Sequence, residues 1–507
     1  MIDRRLHLAI ASAGLFLAAL DAYAVVTLLP QMLQAVDLPI DHLEAAAPIV
    51  TGFLGGYVVA MPLLGAFSDA RGRFPAFAVG LGAFAAGSAV TAMAPALGWL
   101  VVGRVVQGFG GGALVPLSLA LAADLYPAGG RGLAVGAVSA LQEAGSVIGP
   151  VYGATLAAGL GGWRAVFWLN LPLAALILAG LWVSTRRGQA PAGVVAGRRD
   201  VDWAGALLLG LGLGLAVAAL YPDDPGNRPL NAHWLPFGLA AAVLLAAFGW
   251  WQARHLQPLV TRGLLHSRAF GGSLSANLLT GGALMVALVD VPILARGVYQ
   301  LDTLQSGLVL SRFLLGIPFG ALAGGVLAGW VGQRATAAAG LIVAGGAFVL
   351  MSGWGMHELD AAGLRASGEL LLCGFGFGLV IAPLSLAVLD RAAAREYGVA
   401  SSLVVLSRNV GMVVGLSALT AFGLARLQQI AVGRHCDTLT AGPGSLVDKL
   451  NAYETCVRGA LLQEYREIFL VAAVLCGLAA VVAVITLPSR AARLASSRPG
   501  RPEAVPE

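Results

Sequence analysis

The chain has 507 residues, of which 58% are hydrophobic and only 11% charged, with a mean hydropathy of +0.82. Water cannot solvate such a surface, so the composition excludes a set of soluble domains and points to an integral membrane protein. Of the 31 basic residues only Lys449 is a lysine and the rest are arginines, giving a formal net charge of +5.

A bilayer core about 30 Å thick asks for about 20 apolar residues per helix. In chain order the apolar runs predict fourteen helices, at 7–29, 47–67, 76–94, 99–122, 133–157, 164–183, 203–220, 235–252, 271–294, 306–328, 336–354, 369–389, 399–424 and 466–487. The first run, from Leu6 to Leu29, is too long for a signal-peptide core and lacks a small-residue cleavage site. An even number of spans puts both ends on one side. Arg4, Arg5, Arg71, Arg73, Arg131, Arg186, Arg187, Arg198, Arg199, Arg254, Arg262, Arg268, Arg334, Arg391, Arg395 and the tail arginines fall on the side of the N-terminus. The positive-inside rule makes that side cytoplasmic, and the expected location is the inner (plasma) membrane. The other side carries acids, among them Asp37, Asp41, Glu44, Asp223, Asp224, Asp302, Glu358, Asp360 and Asp437.

The expected organisation is an N-terminal six-helix bundle over 1–183 and a linker region with two inserted helices over 184–270. A C-terminal six-helix bundle over 271–488 and a cytoplasmic tail over 489–507 complete it. Gly210-x-Gly212-x-Gly214 and Gly374-x-Gly376-x-Gly378 lie inside apolar runs, where small residues let helices approach closely, and are not phosphate loops. No zinc-protease pattern, Walker lysine or nucleophile elbow is present. No enzyme, cofactor or metal is therefore expected, and membrane orientation accounts for the arginine-rich loops without nucleic acid.

An ionisable residue in the hydrocarbon is expensive and is a functional hypothesis by default. Asp21, in Leu20-Asp21-x-x-x-Val25-x-x-x-Leu29-Pro30, is placed about 13 Å below the outer end of the first helix. Arg104, in Arg104-Val-Val-Gln107-Gly108, is about 9 Å deep, and Glu143 is about 15 Å into the fifth helix from the other side. The three form a titrating cluster at similar depth, since burial favours the neutral carboxyl and an adjacent arginine the charged one. A carboxylate paired only for packing is the alternative. Arg408, about 14 Å into its helix, is either a counter-ion to Asp21 or Glu143 across the cavity or a polar anchor for substrate. Asp290 and Arg312 are expected nearer the outer face, snorkelling or pairing there.

Between the second and third runs, Gly65-Ala-Phe-Ser-Asp69-Ala-Arg-Gly72-Arg73 has the pattern Gly-x-x-x-Asp-x-x-Gly-Arg. It resembles the signature loop of major facilitator superfamily transporters. The sequence Gly145-Ser-Val-Ile-Gly149-Pro150-Val-Tyr-Gly153 resembles the antiporter motif of the exporters in that superfamily. Six, two and six helices resemble its fourteen-helix drug:proton antiporter branch. The resemblance implies two six-helix bundles related by a pseudo-twofold axis, an all-α major facilitator fold and proton-coupled export. It also implies a cytoplasmic latch, with Asp69 at the helix start near Gly398 to Ser402 and Arg73 paired with Asp124. Gly325-Val-Leu-Ala-Gly-Trp-Val-Gly-Gln-Arg334 echoes the loop in the second half, keeping glycines and arginine but placing Gly329 where the first half has Asp69.

The forty-odd residues from Arg426 to Glu467 exceed a short turn. Apolar spacing in Leu424, Leu427, Ile430, Ala431 and in Leu446, Leu450, Tyr453, Val457, Leu461 predicts that the last two helices both continue beyond the bilayer as an antiparallel hairpin around Gly442-Pro443-Gly444. Cys436 and Cys456 lie on opposite arms in a disulfide-permissive compartment. A bridge and two free thiols both remain open, whereas Cys373 and Cys476 are expected to pack inside spans. Met61-Pro-Leu-Leu-Gly65, Gln142-Glu143-x-Gly145 and Leu284-Met-Val-x-Leu-Val-Asp290-Val, with the motifs above, resemble the mycobacterial triacylglyceride and multidrug efflux transporters. That similarity implies a lipid or lipophilic drug as substrate, protons as the driving ion, and a lipid-carrying lipoprotein as partner on the outer side.

Overall fold

The computed structural model describes residues 2–36, 47–186, 200–221, 230–359, 363–434, 436 and 445–489. Among them there is no strand, and fourteen helices are long and apolar enough to cross a membrane. The first half comprises α1 (Ile2–Gln34), α2 (Ala47–Arg71), α3 (Arg73–Met93), α4 (Leu97–Leu125), α5 (Ala128–Gly159) and α6 (Trp163–Ser184). The inserted pair is α7 (Trp203–Leu220) and α8 (Trp234–Arg254). The second half holds α9 (Arg268–Gly297) and α10 (Thr303–Trp330). It continues through α11 (Gln333–Met351), α12 (Leu364–Leu389), α13 (Tyr397–Gly433) and α14 (Leu446–Thr486). The structure is a multi-pass membrane protein of two six-helix bundles with two inserted helices. Asp37, Asp41, Glu44, Arg187, Arg198, Arg199, Asp223, Asp224, Asp360, Asp437, the Gly442-Pro443-Gly444 turn and the tail 490–507 lie outside the described residues.

The halves repeat one packing scheme built on glycine. In α4, Gly108 and Gly112 rest on the backbone of Phe53 and Tyr57 in α2, and Gly110 on Phe84 in α3. In α12, Gly374 and Gly378 rest on Phe313 and Ile317 in α10, and Gly376 on Ala344 in α11. A methyl group at any of these positions would overlap main chain, so the spaced glycines set the helix separation. The inserted pair flanks the first half: Gly210 of α7 rests on Val59 of α2, and Gly212 rests on Leu245 of α8. Ser417 of α13 also donates a hydrogen bond to the Leu220 carbonyl at the end of α7. Apart from its packing on α7, α8 is exposed along most of its length, the condition of a helix facing lipid.

The turns after α2 and α10 pass through Gly72 (φ 98°) and Gly332 (φ 105°), a left-handed region where a Cβ would be strained. Each turn lies on the face from which α1 starts, here called the N-terminal face. At the opposite face, α13 and α14 run about 55 and 60 Å at 1.5 Å per residue, far more than the bilayer core needs. They are continuous helices, as the apolar spacing predicts. Arg426 grips Glu467 with two bonds of 2.5 and 3.1 Å, and Arg434 donates to Gln463 at 2.7 Å. Cys436 and Cys456 form a disulfide, whereas Cys373 and Cys476 are buried thiols. Arg458 and Arg466 of α14 donate to the carbonyls of Val298 and Trp354, fastening the hairpin's base to the second half.

Candidate functional site: a buried carboxylate cluster above a closed seam

Asp21 and Arg104 are each 1% exposed, and Arg104 Nη1 lies 3.0 Å from Asp21 Oδ2. Asn170 of α6 donates to Asp21 Oδ1 at 2.6 Å, so both carboxylate oxygens are held. Arg104 also donates to Gln107 Oε1 at 2.6 Å, and Gln107 and Asn170 both donate to Ser88 Oγ. The Arg104 guanidinium carbon stands 4.1 Å from the Phe53 ring centroid, a cation–π contact. Asp21 faces α4 and α6, while Gly145, Gly149 and Gly153 of α5 pack against α1 at Phe16, Leu20 and Ala24. Thr27 completes that interface by donating to the Pro150 carbonyl at 3.1 Å.

The second pair spans the halves. Arg408 Nη2 of α13 lies 3.3 Å from Glu143 Oε1 of α5, so the expected counter-ion is Glu143; Asp21 is engaged by Arg104. Both pairs border a central cavity of about 260 Å3. Its walls are largely apolar, from Ala18, Val26, Phe53, Leu54, Leu284, Leu288 and Leu314. Polar groups from Tyr23, Gln142, Glu143, Ser146, Arg408 and Asn409 make a band on it. Arg104 lines the cavity while Asp21 lies behind it.

The N-terminal face is closed. Asp69 accepts the Gly398 N–H at 2.8 Å and the Val399 N–H at 2.9 Å, at the start of α13. Unsatisfied N–H groups at a helix start favour an anion there. Arg73 donates to Asp124 at 2.7 Å and to Asp69 and Ser68 at 2.6 Å each. Gly65 is pressed against Gly398, with Ser402 bonding across to the Met61 carbonyl and Ser401 to the Pro116 carbonyl.

The second half adds contacts that the pattern in its loop did not announce. Arg131 of α5 bridges to Asp390 at 3.0 Å and to the Tyr397 hydroxyl at 3.1 Å, while Gln333 donates to Asp390 at 2.7 Å. The residue after the left-handed glycine, equivalent to Arg73, is therefore Gln333. Arg334, read from sequence as the retained arginine, points elsewhere and bonds the Leu487 carbonyl. The seam is consequently not confined to first-half residues. Asp290 and Arg312 form no ion pair with each other among the described residues. Asn170 and Ser88 were missed because an isolated amide or hydroxyl in an apolar helix carries no pattern.

A family model described as Major Facilitator Superfamily matches residues 11–416. A triacylglyceride transporter of Mycolicibacterium smegmatis is 39% identical over 498 residues, covering 95% of this chain and 87% of that protein. A triacylglyceride transporter of Mycobacterium tuberculosis is 38% identical over 497 residues, covering 95% and 94%. Among solved structures, a human organic anion transporter superposes with a TM-score of 0.61 at 19% identity, over 93% of this chain and 99% of that one. The Escherichia coli fucose:proton symporter superposes with a TM-score of 0.55 at 15% identity, over 95% and 98%. With its paired bundles, glycine-set helix contacts and matching family model, this chain belongs to the major facilitator superfamily.

Proposed function

We propose that the chain is a proton-driven, alternating-access exporter of triacylglycerides or similar lipids toward the cell envelope, contributing to drug tolerance. The observation that carries this reading is the Asp21–Arg104 pair, sealed behind an apolar cavity that Arg104 itself lines. Protonation of Asp21 frees Arg104 toward the cavity, and loss of the proton draws it back, so ion and substrate contend for one guanidinium. Glu143–Arg408 ties the halves across the same cavity and breaks when they part. The names of the mycobacterial relatives support a lipid substrate, as do the apolar walls. The arginines at the turns favour a plasma-membrane orientation with both termini cytoplasmic. In that orientation the disulfide-bonded hairpin projects outward, where a lipid-carrying lipoprotein would receive the cargo. The cytoplasmic latch of Gly65, Asp69, Gly72, Arg73 and Asp124 closes the inner side during release.

The test is movement of labelled triacylglyceride in proteoliposomes under a proton gradient. Asp21→Asn and Glu143→Gln are each expected to lower gradient-driven transport at least tenfold. Unchanged transport in both would sink proton coupling through this cluster. Gradient-driven movement of cationic dyes without movement of triacylglyceride would favour a polyspecific drug:proton antiporter instead.

A further inference from the structure

We propose that the inserted pair α7–α8 is a strap across the seam between the halves, fastened to the first half along α2 and to the second at Glu396, and that it sets how readily the N-terminal face opens. Its seat on the first half is α7. Gly210 and Gly214 of α7 lie against Val59 of α2, and the Trp203 and Phe67 rings meet at 5.9 Å. Helix α8 is tied to α7 at the same face. Asp202, the residue before α7, accepts from the Gly205 N–H at 2.8 Å and from Trp251 Nε1 of α8 at 3.0 Å.

The chain leaving α8 is folded back onto that helix before it reaches α9. Gln252 of α8 donates to the Val260 carbonyl, and Arg262 donates to the Ala253 carbonyl at 3.1 Å. Leu259 and Val260 are thereby buried, in one apolar cluster with Leu64 and Ala66 of α2 and with Tyr397 and Val399 of α13. The next residue, Thr261, donates to Glu396 Oε2 at 3.0 Å. Glu396 is buried and immediately precedes α13, two residues before the Gly398 N–H that Asp69 accepts. Both linkers and both sides of the seam therefore converge on one crevice, lined among others by Asp69, Asp202, Leu259, Glu396 and Val399. At its other end α7 is bonded to α13 as well, through the Leu220 carbonyl and Ser417.

These contacts form a series. Helix α2 holds α7, Asp202 holds Trp251, Gln252 holds Val260, and Thr261 holds Glu396. Opening the N-terminal face parts Gly65 from Gly398, and Glu396 moves with the start of α13. Links in series carry tension only while every one of them holds, so breaking one slackens the strap as far as breaking two does. Independent packing contacts would instead add their effects. The strap stands on these contacts alone; its effect on turnover rests on the alternating-access reading above.

Thiol labelling of Ser402→Cys in lipid nanodiscs reads opening directly, because Ser402 is fully buried in the seam against the Met61 carbonyl. The chain without that substitution supplies the background from Cys373 and Cys476. Thr261→Val keeps the side-chain shape and removes the donor, leaving Arg395 beside Glu396 at 3.6 Å. Gln252→Leu removes the bond to Val260. Each is expected to raise the labelling rate about fivefold, the weight of one hydrogen bond, and the double variant no further. Thr261→Ser retains the hydroxyl and should keep the parent rate. Equal rates throughout, or single effects that multiply in the double variant, overturn the proposal. Should Gln252→Leu fail to fold, judged by loss of the Cys436–Cys456 disulfide, Trp251→Phe breaks the link to Asp202 in its place. The expected labelling pattern in protein that moves no triacylglyceride under a proton gradient removes the export reading and leaves the strap; normal transport with equal labelling rates removes only the strap.

Discussion

After its second helix each half turns through a left-handed glycine, Gly72 or Gly332, and each ends its fourth helix with an acid, Asp124 or Asp390, facing the residue that follows that glycine. From this shared backbone the chemistry diverges. The first half inserts Asp69 and Arg73, so one arginine bridges two buried carboxylates while one of these caps α13. The second half has Gly329 and Gln333, and its acid is met by Arg131 reaching over from α5. One seam is thus built on a buried local cluster, the other on an acid held by Gln333 of its own half and by Arg131 of the other. In the transport cycle proposed above both seams would release together, which one buried cluster and one more exposed ion pair would ease.

This asymmetry can be broken or sharpened by substitution. Arg73→Ala should have the largest effect, about 3–5 kcal/mol of lost stability, because it strands two buried carboxylates; thermal unfolding in detergent measures it, and a loss below that of Asp390→Asn would refute the ranking. Asp69→Asn keeps the shape but weakens the bonds to Gly398 and Val399, for about 1–3 kcal/mol. Its expected signature is faster labelling of a cysteine placed at Ala66, which lines the crevice beside Asp69 and Val399. Asp390→Asn should cost about 1 kcal/mol, with the cavity staying closed to the same probe. The smallest change in stability is expected from Gly329→Asp with Gln333→Arg, which gives the second half the chemistry of the first. A Cβ at Gly329 meets open space, so the pair should fold normally while slowing turnover in proteoliposomes. Unchanged turnover would mean that seam strength does not limit the cycle.

The spans were legible because hydropathy over about 20 residues is a strong signal, and the six, two and six arrangement followed from it. So was the continuation of the last helix: α14 was expected in the membrane from 466 with its helix extending outward before that, and it is one helix from Leu446. Lys449, Glu454, Arg458, Glu464, Arg466 and Glu467 dilute its hydropathy without disturbing its helical period. Depth arithmetic placed Asp21, Arg104 and Glu143 at one level, and the structure brings them to one cavity, but it pairs Asp21 with Arg104 and Glu143 with Arg408. That partition depends on which face of each helix the side chain leaves, which depth does not contain. The second seam was misread by one residue because the pattern weighed the arginine at 334, whereas the left-handed glycine at 332 decides which side chain meets Asp390.

Helix α13 contains no proline and runs unbroken from the seam at Gly398 past the cavity at Arg408 to the hairpin at Gly433. At 1.5 Å per residue these stations are separated by about 15 and 37 Å. A rod rocking about its middle station therefore magnifies any displacement at the seam about two and a half times at its far end. The disulfide and the Arg426–Glu467 clamp oblige the second arm to travel with it. On the alternating-access reading proposed above, the far end of α13 would act as a pointer, registering at the face opposite the seam whether the seam is open or shut.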